Sequence, residues 1–322
     1  MKNQNFIRFL VPVAAVVLSL WATDHFINSK VRKLENGEFG KINSIMIHAL
    51  DEPVMIWGAS TALVHFNPRI IQDSLKMGVY NMGVDGTNID QYYGLLKEYL
   101  DYSENCKYLA IVIDIHGGLV DRGALYNVHL WAAHLRNRNV YESFIDVDPW
   151  LTLKSRWVPF YDLTLHNRTT FSCVKNELLG QAETTVKDNL GFYPKDLPPI
   201  DTTAMVKSTE IVRPKSESQP VNPRSIGKVR SACKLAVKKQ IQPIIVIPPC
   251  YKRGLKQLGS EDQFMDSIYT LRQEGAIVLN YLNSDLTTKA ELFYNNTHMN
   301  HRGADLLSSQ FAEDLNRNIS KP

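Results

Sequence analysis

The chain has 322 residues, 44% of them hydrophobic, enough to bury one large core or one core plus a sizeable insertion. Charged residues make up 21%, and the formal excess is only +3 with histidines neutral; this excludes a dedicated nucleic-acid binder, which would gather Lys and Arg on one face. Cys106, Cys173, Cys233 and Cys250 form no CxxC pair and no metal-like His/Cys spacing; their positions select no disulfide pairing, and Cys106 and Cys250, beside apolar runs, read as buried thiols.

At the N-terminus, Lys2 and Arg8 precede the apolar run 9–22. This run alone is shorter than the roughly 20 residues that cross a bilayer comfortably. Phe6, Ile7 and the flank to Ile27 supply the missing length if Arg8 and Asp24 reach the headgroups. A cleaved signal peptide fits less well, because Leu20 spoils the small-x-small pattern before Ala22. A buried helix of a soluble protein is the competing reading. Residues 1–27 are therefore expected to be a membrane anchor or signal segment, and residues 28–50 a polar spacer. Lys30, Arg32 and Lys33 follow the run, so charge asymmetry does not set its orientation.

Residues 53–58 (PVMIWG) read as a buried parallel strand ending in a tight turn. A helix follows, with Pro68 near its start, and residues 79–84 (VYNMGV) form a second strand turning at Asp85-Gly86. Tyr92, Leu95, Leu96 and Tyr99 share one face of a helix over 91–100, and residues 108–115 (YLAIVIDI) are the strongest strand, apolar on both faces. The alternation predicts an α/β fold, a three-layer α/β/α flavodoxin-like domain with a parallel sheet. It resumes with a helix at 228–239, a strand at 243–247, a helix at 262–274, a strand at 276–280 and a helix at 304–316. Between residues 119 and 225 the rhythm breaks. That stretch contains Trp131, Trp150, Trp157, Phe160 and Tyr161, then a Pro-, Ser- and Thr-rich tract from 194 to 223, and is expected to be an insertion or cap. The α/β domain is thus assigned to 51–118 and 226–322.

An open α/β sheet places its ligands at the carboxyl ends of its strands, where two short signals fall. Ser60, in Gly58-Ala59-Ser60, projects a hydroxyl from the end of the first strand, and its own N–H can help to hold an oxyanion. His298, in Asn295-Asn-Thr-His298-Met-Asn300-His-Arg-Gly303-Ala304, lies just before the last helix and can reach across to Ser60 as its base. Asn81-Met-Gly83-Val-Asp-Gly86 brings two glycines, and hence closely approaching backbone, to the end of the second strand. Singly, each of these patterns most often marks only a turn or a structural histidine. His65, His129, His134 and His166 show no metal spacing, so neither a metal nor another cofactor is expected.

In order and spacing these residues resemble the SGNH/GDSL hydrolases, especially their membrane-associated, cell-envelope branch of polysaccharide O-acetyltransferases and related esterases. The resemblance covers about residues 50–118 and 226–318. It implies Ser60 as nucleophile, His298 as general base, and an oxyanion hole built from the N–H groups of Ser60 and Gly86. It further implies an acyl (acetyl) ester of an envelope glycan or a small ester as substrate, a domain on the periplasmic or cell-surface side of the membrane, no nucleic acid, and, if the acyl group is transferred, a membrane acyl-donor partner protein.

Two positions depart from the family pattern. Asn295 stands where an aspartate completes the triad; asparagine can orient an imidazole but adds no charge, and replacing the aspartate in another serine triad lowers turnover about 10⁴-fold. His116, in Ile115-His116-Gly117-Gly118, stands where the family often has an oxyanion-hole asparagine, and is a further candidate donor. Asn295 also leaves open a rival of another class, a catalytically silent module that binds glycan or scaffolds an envelope assembly.

Overall fold

The structure is a computed structural model describing residues 2–201, 221–251 and 261–319. The Pro/Ser/Thr-rich tract lies largely outside the described residues, between 202 and 220. Five short strands, β1 (Val54–Trp57), β2 (Val79–Asn81), β3 (Tyr108–Val112), β4 (Gln242–Ile247) and β5 (Ile277–Asn280), form one all-parallel sheet in the order β2-β1-β3-β4-β5. That order is the flavodoxin-like doubly wound topology, in which the chain reverses its winding direction between β1 and β3 and leaves a crevice at their carboxyl ends.

Alternation along the strands decides which helices cover which face. Met55, Trp57, Leu109, Ile111, Ile245 and Ile247 point to one side, where they pack with α2 (Gly37–Met46), α5 (Ile89–Tyr102), α10 (Pro223–Lys238) and α11 (Glu261–Tyr269). Val54, Ile56, Ala110, Val112, Ile244 and Val246 point to the other, against α3 (Ser60–His65), α4 (Pro68–Leu75) and α12 (His301–Ile319). Strands buried on both faces read as continuous apolar runs, which is why the sequence shows them so plainly.

Residues 28–50 are more than a spacer. Phe39, Ile42 and Ile45 recur at threes and give α2 an apolar stripe that is buried in the core. The stripe is masked in sequence by the polar residues interleaved with it, two of which, Lys41 and Asn43, are themselves buried because backbone carbonyls accept their donors. Ahead of it, α1 (Lys2–Val31) includes a 22-residue apolar segment, Leu10–Val31. At 1.5 Å per residue that is about 33 Å, the thickness of a bilayer's hydrocarbon core. None of its most apolar stretch is buried, unlike the core helix of a soluble protein.

The middle of the chain is helical: α6 (Arg138–Ile145), α7 (Pro149–Trp157), α8 (Arg168–Leu178) and α9 (Thr185–Asp188), with single 3₁₀ turns before and between them. Trp131, Val140 and Phe144 are buried in the same apolar cluster as the sheet's inner face. Contact between α5 and α6 is close because Gly94 offers no side chain: a Cβ there would lie 2.5 Å from the Asn139 carbonyl oxygen. In an ordinary helix interior Gly→Ala gains about 1 kcal/mol. Here overpacking, which costs about 1–3 kcal/mol and occasionally more, is the larger effect. Gly94→Ala is therefore expected to lower the thermal midpoint, measured by circular dichroism, rather than raise it.

Candidate active site

Ser60 is the first residue of α3, directly after the turn that ends β1. The turn is tight because Gly58 slots between neighbours: a Cβ there would meet the Val112 carbonyl oxygen and the Ala62 methyl at 2.8 Å. A second glycine, Gly83, lets the end of β2 run against the backbone of α3, where a Cβ would fall 2.3 Å from the Leu63 nitrogen. Asn81 ties the two together, donating from Nδ2 to the carbonyls of Ala62 (2.7 Å) and Phe66 (2.8 Å) while its Oδ1 accepts from Gly83 N–H (2.8 Å). The backbone that carries Ser60 is thus fixed by close backbone packing and by the Asn81 side chain, which leave it little freedom to shift.

His298 is held by a short closed loop. Phe293 and Met299, both fully buried, form an antiparallel bridge, and Tyr294 N–H donates to the His298 carbonyl at 3.1 Å. Within the loop Asn295 Oδ1 accepts from the backbone N–H groups of Thr297 (2.9 Å) and His298 (2.8 Å), an Asx turn that accounts for the spacing of three between residues 295 and 298. Asn300 continues the anchoring, donating to the Glu291 carbonyl (2.8 Å) and accepting from Gly303 N–H (3.1 Å) at the start of α12. Gly303 packs on the Leu292 carbonyl, with no room for a Cβ. From the opposite side, Met299 N–H donates to His65 Nε2 at 3.0 Å.

The two pieces meet with His298 Nε2 2.8 Å from Ser60 Oγ. His298 Nδ1 lies 3.1 Å from Asn295 Oδ1 and 2.9 Å from Thr297 Oγ1. These contacts fit one tautomer: Nδ1–H donates to that pair of neutral oxygens, leaving the Nε2 lone pair to accept the serine proton. Burial holds the His298 pKa below the usual 6.5, outweighing Asp114 and Asp85, which push it up. The ring is sandwiched, with Tyr294 stacked at 5.6 Å and His65 edge-on at 6.1 Å. Burial also drives the His65 pKa well below 6.5, so this second imidazole stays neutral and can keep accepting from Met299.

Two clefts open beside this pair. One, of about 300 Å³, combines apolar walls (Leu63, Val186) with Tyr193, Tyr294, Glu183 and Lys195. Its outer side comes from the middle of the chain. There Gly191 lies so close to the Asn81 carbonyl that a Cβ would be 2.0 Å away, and Tyr193 N–H donates to the Leu63 carbonyl at 3.0 Å. The other, of about 280 Å³, lies at the β1/β3 crevice and is lined by Ser60, Asp114, His116, Arg122 and His298. His116 is turned inward, its Nε2 buried, and burial lowers its pKa against the pull of Asp114. Asp114 Oδ1 accepts from the N–H groups of His116 (3.1 Å) and Gly117 (2.8 Å). Gly86 is in the left-handed region (φ 68°) with its carbonyl accepting from Arg122 at 3.0 Å, and it lines neither cleft; its neighbour Asp85 lines the first.

The structure therefore brings Ser60, His298, Asn295 and His116 together and leaves Gly86 at the margin. Sequence reasoning did not single out Thr297, Tyr294, His65 or Lys41. Thr297 sits inside the very motif that carries His298, but its hydroxyl has meaning only once the loop is closed. Lys41 is buried and donates to the Gly83 carbonyl at 2.6 Å, with burial lowering its pKa to about 7. Nothing in the local sequence around Lys41 or His65 signals these contacts.

No family model matches the sequence, and no curated protein matches it significantly. Among solved structures, the chain is similar to a protein provisionally described as a platelet activating factor from Streptococcus pneumonia, with 10% identity, a TM-score of 0.41, and coverage of 95% of this chain and 99% of the other. It is also similar to one provisionally described as a lipolytic protein of the G-D-S-L family from Desulfitobacterium hafniense, with 12% identity, a TM-score of 0.35, and coverage of 81% and 98%. Likeness at that level carries no argument about chemistry, which rests on the geometry above.

The protonation state has a measurable consequence. A base whose pKa lies below 6.5 remains free, and active, to lower pH than an ordinary histidine, and its activity is lost only as pH falls through that depressed value. The acid limb of log(kcat/KM) for a small ester should accordingly have its midpoint below 6.5. A midpoint above 6.5 would mean that a negative charge, rather than burial, dominates at His298.

Proposed function

We propose that the protein is an SGNH-type serine ester hydrolase or O-acyltransferase, working through an acyl-Ser60 intermediate. The observation that carries this reading is the relay from Ser60 Oγ to His298 Nε2 at 2.8 Å, with Nδ1 facing the side-chain oxygens of Thr297 and Asn295. As Ser60 Oγ bonds to the ester carbonyl carbon, its proton passes to Nε2 and the carbonyl oxygen becomes an oxyanion. Ser60 N–H lies in the first turn of α3, where helix N–H groups lack intrahelical acceptors, and is the first donor to that oxyanion. His116, which lines the β1/β3 crevice beside Ser60 and His298, is the candidate second donor, and Gly86, which lines neither cleft, is left out of the hole. Collapse breaks the bond to the leaving alcohol, which takes the proton from Nε2. His298 then deprotonates water, or a sugar hydroxyl, which attacks the acyl-serine and releases Ser60.

The substrate proposed is a short-chain acyl ester, most simply acetyl, of a carbohydrate at the cell envelope. A cleft of about 300 Å³ takes a short acyl group, and walls combining Tyr193 and Tyr294 with Glu38, Asp85, Glu183 and Lys195 offer stacking faces and polar groups to a sugar. In this reading α1 crosses the membrane and holds the domain on the extracytoplasmic side, and a membrane protein supplies the acyl donor when transfer rather than hydrolysis takes place. Transfer and hydrolysis differ only in which hydroxyl reaches the acyl-serine. The residues that govern this are those the middle of the chain places around the cleft. Tyr193→Ala should therefore raise KM for an acetylated sugar about fivefold while leaving kcat on a small activated ester near its original value, as loss of one stacking contact of about 1 kcal/mol implies.

A serine-directed fluorophosphonate should label the wild-type protein, and Ser60→Ala should abolish both labelling and turnover. Asn295→Asp is expected to raise turnover about ten- to a thousandfold, below the 10⁴ attached to a complete triad because Thr297 already supports Nδ1. The new carboxylate would inherit the two backbone N–H bonds made by Asn295, which favour its ionised form. Absence of serine-dependent labelling and turnover in both proteins would replace the catalytic reading with that of a glycan-binding module.

A further inference from the structure

Helix α7 is inside out. Its buried positions are Thr152 and Ser155, whose hydroxyls donate to the Asp148 carbonyl (2.7 Å) and Asp162 Oδ1 (2.5 Å). On its outer side stand Trp150 and Trp157, 74% and 73% exposed, the most exposed large hydrophobic side chains among the described residues. Leu153 lies between them, giving the i, i+3, i+7 spacing of a single helix face, and the exposed Val158 extends it. Exposed Lys154 and Arg156 flank the face, with the Arg156 guanidinium 5.9 Å over the Trp157 ring. A soluble domain has no reason to bury hydroxyls and show tryptophans to water, so the face has an occupant.

Its surroundings indicate which. A groove of about 420 Å³ has Trp21 and His25 of α1 on one wall and Trp157, Val158 and Phe160 on the other. The α7 face is thus continuous with the level at which α1 passes from apolar to polar residues. At that level Trp21 stacks on His25 at 5.7 Å, and Lys30 lies 5.5 Å over the Phe26 ring. Tryptophans with basic side chains reaching past them are what the bilayer–water boundary selects. The geometry points to α7 as an interfacial helix, lying on the same bilayer face from which α1 emerges. Trp150, Leu153 and Trp157 sit at the acyl–headgroup boundary, and Lys154 and Arg156 meet lipid phosphates. The inference rests on the reading of α1 as a bilayer anchor. The last turn of α1 is packed into the domain, with Val31 wholly buried and Asn28 bonded to His166, so α1 and α7 together fix the domain's orientation on the bilayer.

The test uses the full-length chain in phosphatidylcholine vesicles with brominated or unbrominated acyl chains, bromine quenching nearby tryptophans. Trp57 and Trp131 are wholly buried in the core and set the unquenched baseline. W21F reports on Trp150 and Trp157, and W150F/W157F reports on Trp21. W21F should lose up to about half its emission in brominated lipid, since two of its four tryptophans face the boundary. The triple variant W21F/W150F/W157F should lose almost none. Quenching of W150F/W157F without quenching of W21F would leave the anchor standing and overturn the docking of α7. Quenching of W21F in protein that alkaline carbonate extracts would support the docking and remove the anchor. Quenching of neither variant would sink both. Unquenched W21F that cross-links to a second copy through α7 would assign the face to self-association instead, which also overturns the proposal.

Discussion

Ser60 and His298 stand 238 residues apart in the chain and 2.8 Å apart in space, and every other feature of the site exists to keep them so. Neither side chain could hold that separation by itself, because a serine–imidazole hydrogen bond is worth only about 1 kcal/mol net. The distance is imposed instead by two rigid mounts. One is the β1–α3 turn, where Gly58 and Gly83 let backbone lie on backbone and Asn81 fastens the layers. The other is the bridged loop 293–299, clamped by Asn295 from within, by Asn300 just beyond its end and by His65 of α3 from across the interface. The parallel sheet supplies the frame, since its winding reverses between β1 and β3 and opens a crevice where these mounts converge.

This relay differs from a full triad in its charge. Asn295 Oδ1 and Thr297 Oγ1 give His298 two neutral partners, and burial lowers its pKa further, so in the proposed reaction an imidazolium at His298 would be less well supported than beside a carboxylate. Asp114 and Asp85 act on the ring without bonding to it. The arrangement favours the free base at rest, suited to accepting a proton, at the expense of the charged state that follows.

The middle of the chain joins two roles. Its first part, through Trp131, Val140 and Phe144, shares the main core, so it is rigidly tied to the sheet. Its later part passes over α3, where Gly191 and Tyr193 are bonded to or packed on β2 and α3 backbone, and so supplies one wall of the cleft. Between them α7 presents tryptophans beside α1. A single segment thereby relates the mouth of the site to the proposed plane of the membrane.

Much of the fold was legible because its signals are local. Strands buried on both faces appear as unbroken apolar runs, which is how residues 54–57, 108–112 and 243–247 declared themselves, and the apolar stretch near the N-terminus needed no partner to be recognised. Ser60, His298 and Asn295 were legible because strand ends and the Asn-x-x-His spacing are short-range features. The buried stripe of α2 was hidden among polar residues whose burial only distant carbonyls make tolerable. His65, Lys41 and Thr297 were equally silent, since a neutral acceptor for Met299 N–H, an ammonium under Gly83 and a second acceptor for His298 Nδ1 are relations between separate segments. The marginal place of Gly86 and the inward turn of His116 likewise follow from how loops cross the sheet's edge. Sequence alone determined which elements form and which residue types stand at their ends; only tertiary packing decided which of them meet, because side-chain contacts at 3 Å depend on the placement of whole layers and not on any period within one.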